Sequence, residues 1–261
     1  MKVFFTDLDG TLLDGETYAY DAAQGALEAL IERGIPLVFC TSKTYRETIH
    51  WRRRLGNDHP FITENGGGIF IPHGYFDIPV EHDHTRDSYH VIELGVPYHE
   101  LTAALDDLAE RFSLRGFHQM TPWELAGSAG LSLPAARRAL NRDYDEPFLL
   151  ADESREEELR LAAAAHGLHI TRGGRYYHLT GDHDKGRAAA ILTAIYRREH
   201  GDVTTVGIGD SANDVALLDA VDRPYLVARP DGSYATETYT PAGGTGPTGW
   251  SRVIQREITA E

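Results

Sequence analysis

Two carboxylates stand two residues apart at the end of the first apolar run of the chain. Residues 2–6 are mostly apolar, and Asp7, Asp9 and Gly10 follow them. In an extended strand, residues i and i+2 point to the same side, so Asp7 and Asp9 share one site. Neighbouring anions repel each other unless a cation lies between them or one holds a proton. The pair therefore suits a divalent metal, a nucleophilic carboxylate and an adjacent acid/base, although a polar turn after a core strand has the same pattern.

A second acidic motif follows another apolar run near the end of the chain. Residues 203–208 are mostly apolar, and residues 209–214 read Gly-Asp-Ser-Ala-Asn-Asp. If this strand lies beside the first, Asp210 completes an oxygen cage with Asp7 for a hard cation such as Mg²⁺. Asp214 could instead cap the helix that follows it. The two motifs together are far more specific than either one alone.

Two further residues could act on a phosphoryl group. Lys185 stands at the predicted start of an alanine-rich helix, where the helix dipole favours anions. A cation there indicates a partner, either a phosphate or the Asp7 carboxylate. Thr41 follows the apolar strand 35–40, and its hydroxyl could donate to a phosphoryl oxygen or cap the next helix. Taken singly, Lys185 also fits an ordinary surface position.

The elements around these residues indicate an α/β fold. Strands and helices alternate over the first 70 residues, which is typical of a Rossmann-like, doubly wound parallel sheet. In such sheets, ligands bind at the carboxyl ends of the strands. Asp7, Thr41 and Asn65 each follow a predicted strand, so we expect one crevice to hold them.

The pattern of predicted strands and helices changes in the middle of the chain. A polar link at residues 81–87 leads into short strands and helices typical of an α+β module with a mostly antiparallel sheet. The α/β pattern resumes after Gly181. We therefore predict a core formed by residues 1–81 and 183–261, with residues 82–182 inserted as a cap.

Composition excludes several function classes. The formal net charge is −15 and the isoelectric point is near 5.3, which argues against nucleic acids and anionic membranes as partners. Cys40 is the single cysteine, so no intramolecular disulfide forms, which fits a reducing compartment. No apolar run approaches the roughly 20 residues needed to span a bilayer. We expect a cytoplasmic protein that is a monomer or a homodimer.

These motifs stand in the order of the four motifs of the haloacid dehalogenase-like phosphohydrolases, and the insert resembles the type IIB cap of that superfamily. Within the superfamily, the chain most resembles the mannosyl-3-phosphoglycerate phosphatases. The segments that carry this resemblance are residues 41–44 (Thr-Ser-Lys-Thr), 60–67, 71–76, 142–146 (Arg-Asp-Tyr-Asp-Glu), 174–178 (Gly-Arg-Tyr-Tyr-His) and 246–250. Ser42-Lys43 replaces the Gly-Arg pair found after the second motif in many sugar-phosphate relatives.

The resemblance implies a mechanism. Asp7 would attack phosphorus and form an aspartyl-phosphate, while Asp9 would protonate the leaving group and then activate water. Thr41 and Lys185 would stabilise charge on the phosphoryl oxygens. Mg²⁺ would be held by Asp7, the Asp9 carbonyl, Asp210 and Asp214.

The resemblance also implies a phosphorylated sugar-glycerate as substrate. We expect cations around its carboxylate and hydroxyls, and a glycine-rich turn after Asn65 that brings backbone amides close to the ligand. The expected substrate-binding residues are Ser42, Lys43, Asn65, Gly66, Gly67, Arg142, Arg175, His178 and Asn213.

Other functions remain open at this point. Glucosyl-3-phosphoglycerate or another sugar phosphate could be the substrate. A phosphomutase would pass the phosphoryl group to a sugar instead of water, and a non-catalytic sugar-phosphate-binding module would not use it. The paired Asp7 and Asp9 argue against a binding module, which has no need of an acid/base beside a nucleophile.

Overall fold

A computed structural model describes residues 1–173 and 175–259. Within the described part, nine strands form one large sheet in the order β13-β12-β11-β1-β2-β3-β4-β6-β5. The strands are β1 (Lys2–Thr6), β2 (Leu37–Cys40), β3 (Phe61–Thr63), β4 (Gly68–Pro72), β5 (His84–Arg86), β6 (Tyr89–Glu93), β11 (Thr204–Gly209), β12 (Arg223–Ala228) and β13 (Thr240–Thr245). Neighbours from β13 to β3 pair in parallel, whereas β4, β6 and β5 add antiparallel pairs.

Helices cover both faces of this sheet, and the inner strands are therefore buried on both sides. Phe4 faces a cluster with Leu27 and Trp250, while Phe5 faces a cluster with Leu192 and Tyr196. The helices are α1 (Gln24–Glu32), α2 (Tyr45–Leu55), α7 (Lys185–His200), α8 (Val215–Asp219) and α9 (Gly246–Thr259). The α/β class and the doubly wound core are confirmed.

The inserted module has its own antiparallel sheet, in the order β7-β8-β10-β9. Its strands are β7 (Leu114–Gly116), β8 (Asp145–Leu150), β9 (His169–Gly173) and β10 (Tyr176–Thr180), and its helices are α3 (Tyr98–Ala109), α4 (Pro122–Ala129), α5 (Leu133–Ala139) and α6 (Glu156–Ala165). Phe148 packs in a cluster with Leu105 and Leu159, while Tyr176 packs against the cluster of Leu125 and Ala136. The cap therefore has helices on both faces of its sheet.

The predicted boundary at residue 82 needs a correction. Strand β6 pairs with β4 of the large sheet from Gly68↔Glu93 to Pro72↔Tyr89, and β5 pairs with β6. Residues 84–93 therefore belong to the core sheet. Because β5 and β6 belong to the large sheet, we place the insert at about residues 95–182.

Gly174, part of one motif of the resemblance, and residues 260–261 of the predicted core lie outside the described residues. Among the residues that the structure describes, no helix has the length and apolar character needed to cross a membrane. Cys40 is a buried free thiol.

Candidate active site

The carboxyl ends of two adjacent strands bring the acidic motifs together. Strands β1 and β11 pair with Thr6 opposite Ile208, and the Asp7 amide continues the ladder by donating to the Ile208 carbonyl at 2.9 Å. Asp210 follows β11, and Asp214 follows one turn later. One oxygen from each of Asp7, Asp210 and Asp214 lies within 4.8 Å of the others.

Gly10 allows this close approach. Its φ is +78°, and a Cβ at this position would lie 2.6 Å from Asp210 Oδ2. Any other residue would therefore meet both the left-handed backbone and the carboxylate. The turn after the Asp7/Asp9 pair depends on glycine for this reason.

Lys185 lies between two of the carboxylates. It begins α7 and is fully buried, and its Nζ is 2.7 Å from Asp7 Oδ1 and 2.6 Å from Asp214 Oδ1. Burial raises the pKa of Asp7 well above its usual range, and the neighbouring aspartates add to this rise although Lys185 opposes it. Burial alone would lower the pKa of Lys185, but Asp214 and Asp7 reverse the effect and keep the ammonium charged.

Asp9 has a different partner. Its Oδ2 lies 2.7 Å from the Nζ of the buried Lys43, which also sits 4.9 Å from the centre of the Tyr18 ring. Burial lowers the pKa of Lys43, but Asp9 and Glu47 outweigh burial and raise it above its usual value. Lys43, expected beside the substrate carboxylate, therefore holds the second aspartate of the motif.

Polar residues after β2 and β3 connect the two sides of the site. Thr41 is fully buried; its Oγ1 accepts from the Lys43 amide at 3.2 Å, and its carbonyl accepts from the Asn65 amide at 3.0 Å. The Asn65 amide group donates to Asp145 Oδ2 at 3.3 Å, and its oxygen accepts from Asn213 at 3.2 Å. Asn65 thus joins the core loops to the cap.

Arg142 and His178 meet on one buried carboxylate of the cap, that of Asp145. Arg142 Nη2 lies 3.1 Å from Asp145 Oδ2, and His178 Nδ1 lies 2.9 Å from the same oxygen. Burial raises the pKa of Asp145, but His178 and Arg142 outweigh it and bring the pKa to about 2. Arg142 also donates to the Ser42 carbonyl at 3.2 Å. Its guanidinium is therefore already engaged by protein groups, which differs from the expected substrate contact.

A cavity of about 1030 Å³ lies between the core and the cap. The core contributes Asp9, Lys43 and Asp210 to its walls, and the cap contributes Arg175 and His178. A smaller cavity of about 320 Å³ reaches Asp7, Asn65 and Asn213 and shares Ser42, Asp210 and His178 with the first. Both cavities open onto the aspartates, so a molecule held by the cap can reach them.

Known proteins with similar sequences decide the family. A model of the haloacid dehalogenase-like hydrolases matches residues 4–92. A glucosyl-3-phosphoglycerate/mannosyl-3-phosphoglycerate phosphatase of Methanococcoides burtonii is 44% identical, covering 97% of this chain and 95% of the relative. A mannosyl-3-phosphoglycerate phosphatase of Pyrococcus horikoshii is 33% identical over 87% of this chain and 90% of that protein. The chain belongs to the mannosyl-3-phosphoglycerate phosphatase family.

Solved structures agree with this at the level of the fold. A sugar phosphatase of haloacid dehalogenase subclass IIB superposes with a TM-score of 0.65 at 18% identity, covering 99% of this chain and 98% of that one. The named relatives and the family model show that the chain is a phosphatase of the haloacid dehalogenase superfamily, and the superposition agrees with a cap of the subclass IIB kind. The expected enzyme class is confirmed.

The donor set of the phosphatase fits a divalent cation. Asp7, Asp9, Asp210 and Asp214 carry four negative charges, and Lys43 and Lys185 carry two positive charges, so two negative charges remain uncompensated. Carboxylate oxygens are the ligands that Mg²⁺ prefers. Burial raises the pKa of Asp210 to about 6, and the charge of Asp214 adds to this rise although Lys185 opposes it. The carboxylate of Asp9 is held by Lys43, so only its backbone carbonyl remains as a ligand candidate.

Sequence reasoning did not single out Glu64, which is fully buried. Its Oε2 accepts hydrogen bonds from the amides of Tyr144 and Asp145 at 2.9 and 3.0 Å, and its Oε1 accepts from Asp143 at 3.0 Å. Burial raises the pKa of Glu64 to about 8 although Arg142 and these amides oppose the rise. A charged residue directly after a buried strand was the available signal.

The glycines after Asn65, expected to bring backbone amides close to the ligand, lie where neighbouring segments pack tightly against the backbone. A Cβ on Gly66 would overlap the Asp184 backbone, and a Cβ on Gly67 would overlap Tyr144. The Gly67 carbonyl accepts from the amides of Leu94 and Gly95 at 2.9 and 3.0 Å. Gly66 and Gly67 therefore allow the core and cap segments to pack together, and neither lines the two cavities.

Two arginines complete the walls. Arg175 is exposed and donates to the Ser128 carbonyl, another residue of the larger cavity. Arg229, which sequence reasoning missed, follows β12 and lines both cavities. No motif marked it, because a single arginine after a strand has no distinctive sequence pattern.

Proposed function

We propose that the chain is a Mg²⁺-dependent phosphatase that hydrolyses mannosyl-3-phosphoglycerate to mannosylglycerate and phosphate. The observation that carries the proposal is the buried Asp7, held by Lys185 beside Asp210 in the wall of the smaller cavity. The names of the relatives supply the substrate, since the chain matches them over almost its whole length.

The first step forms a covalent intermediate. Lys185 holds Oδ1 of Asp7, so Oδ2 would attack phosphorus; the bond from phosphorus to the glycerate oxygen then breaks. Asp9, protonated when the substrate binds, would give that proton to the leaving oxygen. A bound Mg²⁺, held by Asp7, the Asp9 carbonyl, Asp210 and Asp214, would supply positive charge next to the phosphoryl oxygens.

The second step reverses the proton transfer. Asp9, now an anion, would take a proton from water as the water oxygen attacks phosphorus, and Asp7 leaves as a carboxylate. Lys43 stabilises this anionic form of Asp9 through its ion pair. Thr41 and Lys185 would compensate charge on the phosphoryl oxygens in both steps.

The cap residues would recognise the remainder of the substrate. His178 presents its second ring nitrogen to the cavity, because its Nδ1 is bound to Asp145. Arg175 and Arg229 are the guanidinium groups that we assign to the glycerate carboxylate. Ser42 and Asn213 line the space beside the phosphoryl group.

A second substrate is favoured by one observation. The 44% identical relative is named for both glucosyl- and mannosyl-3-phosphoglycerate. These sugars differ in the orientation of one hydroxyl group, and a cavity of about 1030 Å³ accommodates either. We therefore propose activity on both esters.

A panel of phosphate esters tests the proposal. Purified protein is incubated with mannosyl- and glucosyl-3-phosphoglycerate, sucrose phosphate and mannose phosphates, and released phosphate is measured. We expect turnover of the first two, loss of activity with EDTA and recovery with Mg²⁺. An isomerised sugar phosphate without free phosphate would indicate a mutase, and no reaction at all would indicate a binding module.

We further propose a cytoplasmic enzyme that is a monomer or a homodimer. The buried free thiol of Cys40 is compatible with a reducing compartment. Light scattering after size exclusion measures the oligomeric state directly.

A further inference from the structure

A positive groove crosses the boundary between the core and the cap, away from the aspartates. Helix α2 carries Arg46, Arg53 and Arg54 on its exposed side, and Arg138 faces it from α5 of the cap. None of these four arginines forms an ion pair with a residue that the structure describes, whereas many other arginines of the chain do. Such a concentration of unpaired guanidinium groups is unexpected on a chain with a net charge of −15.

The arginines line two adjoining cavities that share His50 and Arg138. One measures about 400 Å³ and includes Arg54, and the other measures about 780 Å³ and includes Arg46 and Arg53. We call these cavities together the arginine groove. The carboxylates in its walls are Asp21 on one side and Asp58 and Asp87 on the other, and Asp87 already accepts from the Tyr45 hydroxyl at 2.6 Å.

Docking of the cap brings like charges together in this groove. The Thr44 hydroxyl donates to the Arg138 carbonyl at 3.0 Å, and Arg46 Nε donates to Asn141 at 3.4 Å, so α5 is fixed against the start of α2. Burial and the charges of Arg138, Arg54 and Arg53 lower the pKa of His50. Arg138 Nε is buried and has no hydrogen-bond partner among the described residues.

Guanidinium groups match oxyanions well, because their N–H donors form a planar fork for two oxygens. An anion between α2 and α5 would accept hydrogen bonds from the part of the Arg138 guanidinium that lines the groove, and it would reduce the repulsion between the positive charges of the two helices. The arginine groove adjoins the larger cavity of the active site at Tyr18, but none of the four aspartates of the active site lines it.

We propose that the arginine groove is a second anion site that binds a multivalent oxyanion of the phosphate type between His50 and Arg138. Core and cap each contribute positive charge to this site. The bound anion therefore stabilises the contact between the cap and the core.

Sulfate is the probe for the test. Thermal unfolding midpoints are measured for the wild type, Arg138→Gln and Arg137→Gln in sodium sulfate and in sodium chloride of equal ionic strength. Arg137 is exposed on the same helix and lines neither cavity, so it is the matched control. Calorimetric titration of the same proteins with sulfate gives the number of sites and their dissociation constants.

We expect the rise in midpoint that is specific to sulfate to be similar in the wild type and Arg137→Gln and largely lost in Arg138→Gln. Titration should show a site that Arg138→Gln weakens at least about tenfold. Equal responses of all three proteins, or an equal loss in Arg137→Gln, would overturn the proposal. Binding at the aspartates is common to all variants, so the comparison stays valid whatever the ester panel shows.

Discussion

The aspartates of the core and the carboxylates at the cap junction lie in opposite charge environments. Around Asp7, four carboxylates face two ammonium groups, and two negative charges remain. At the junction, Glu64 and Asp145 face Arg142 and His178, and the charges are nearly balanced. The core site therefore needs a cation, whereas the junction is already a complete network.

This difference separates two tasks. An unbalanced buried cluster costs stability but leaves room for a metal and a phosphoryl group, which is where chemistry takes place. A balanced network holds side chains in fixed positions. We therefore expect substitutions in the core cluster to lower kcat, and substitutions at the junction to act through substrate binding and stability.

The largest expected effect is that of Asp7→Asn. The amide cannot attack phosphorus, so kcat should fall at least about 10⁴-fold. Phosphate release from mannosyl-3-phosphoglycerate measures it, with Glu16→Gln on the cavity wall as the control. Near-native turnover of Asp7→Asn would rule out the covalent mechanism.

Lys185→Met should have the next largest effect. It removes a buried cation from Asp7 and Asp214, and loss of one such preorganised donor typically lowers kcat about 10²- to 10³-fold. Breaking a buried ion pair also costs about 3–5 kcal/mol of stability. Urea unfolding with and without Mg²⁺ measures the second effect, and an unchanged kcat in a folded variant would contradict the charge argument.

Asp145→Asn examines the junction. The amide leaves His178 without its anion and leaves Arg142 with Glu64 alone. His178 therefore loses its orientation, and kcat/KM should fall roughly 10- to 100-fold, mainly through KM. Asp143→Asn is the matched control, because it lies in the same segment but pairs with Arg86 outside the cavity. A loss confined to kcat would assign Asp145 to the chemistry instead.

The smallest expected effect concerns Glu64 and pH. Because the folded pKa of about 8 lies above the usual value, the stability that Glu64 contributes is complete at acidic pH and is lost as the pH rises through about 8. Glu64→Gln keeps an oxygen for the three amides and should flatten this part of the curve. Free energies of unfolding between pH 5 and pH 9 measure it, roughly spanning the titration of the group; the exposed Glu100→Gln should retain the wild-type slope.

The core site was predictable from sequence because its signals are local. Asp7 and Asp9 are two residues apart, so strand geometry alone brings them together. Each acidic motif also directly follows an apolar strand, and the carboxyl ends of parallel strands meet at one edge of the sheet, which places Asp210 near Asp7 once β11 pairs with β1. The junction was not predictable in this way. Glu64 and the Asp145 segment are about 80 residues apart in sequence, and only the packing of the cap on the core brings them into contact.

The boundary at residue 82 was wrong for a related reason. Strand β5 is the edge strand of the large sheet, and its residues are exposed or half-buried. A polar edge strand has the same composition as a polar link, because only one side of it pairs. The continuous burial of the inner strands, such as β2, which would mark it as core, is missing there.

Three segments that lead into, through and out of the cap contact the turn at residues 64–67. The outgoing segment bonds to Gly67, the middle segment of the cap bonds to Glu64, and His183 of the returning segment donates to the Glu64 carbonyl at 3.2 Å. Because these three contacts share one turn, the turn is a natural centre for rotation of the cap. A rotation of the cap about this turn would displace Arg175, at the far wall of the cavity, by more than it would displace His178, which is bound to Asp145 close to the turn.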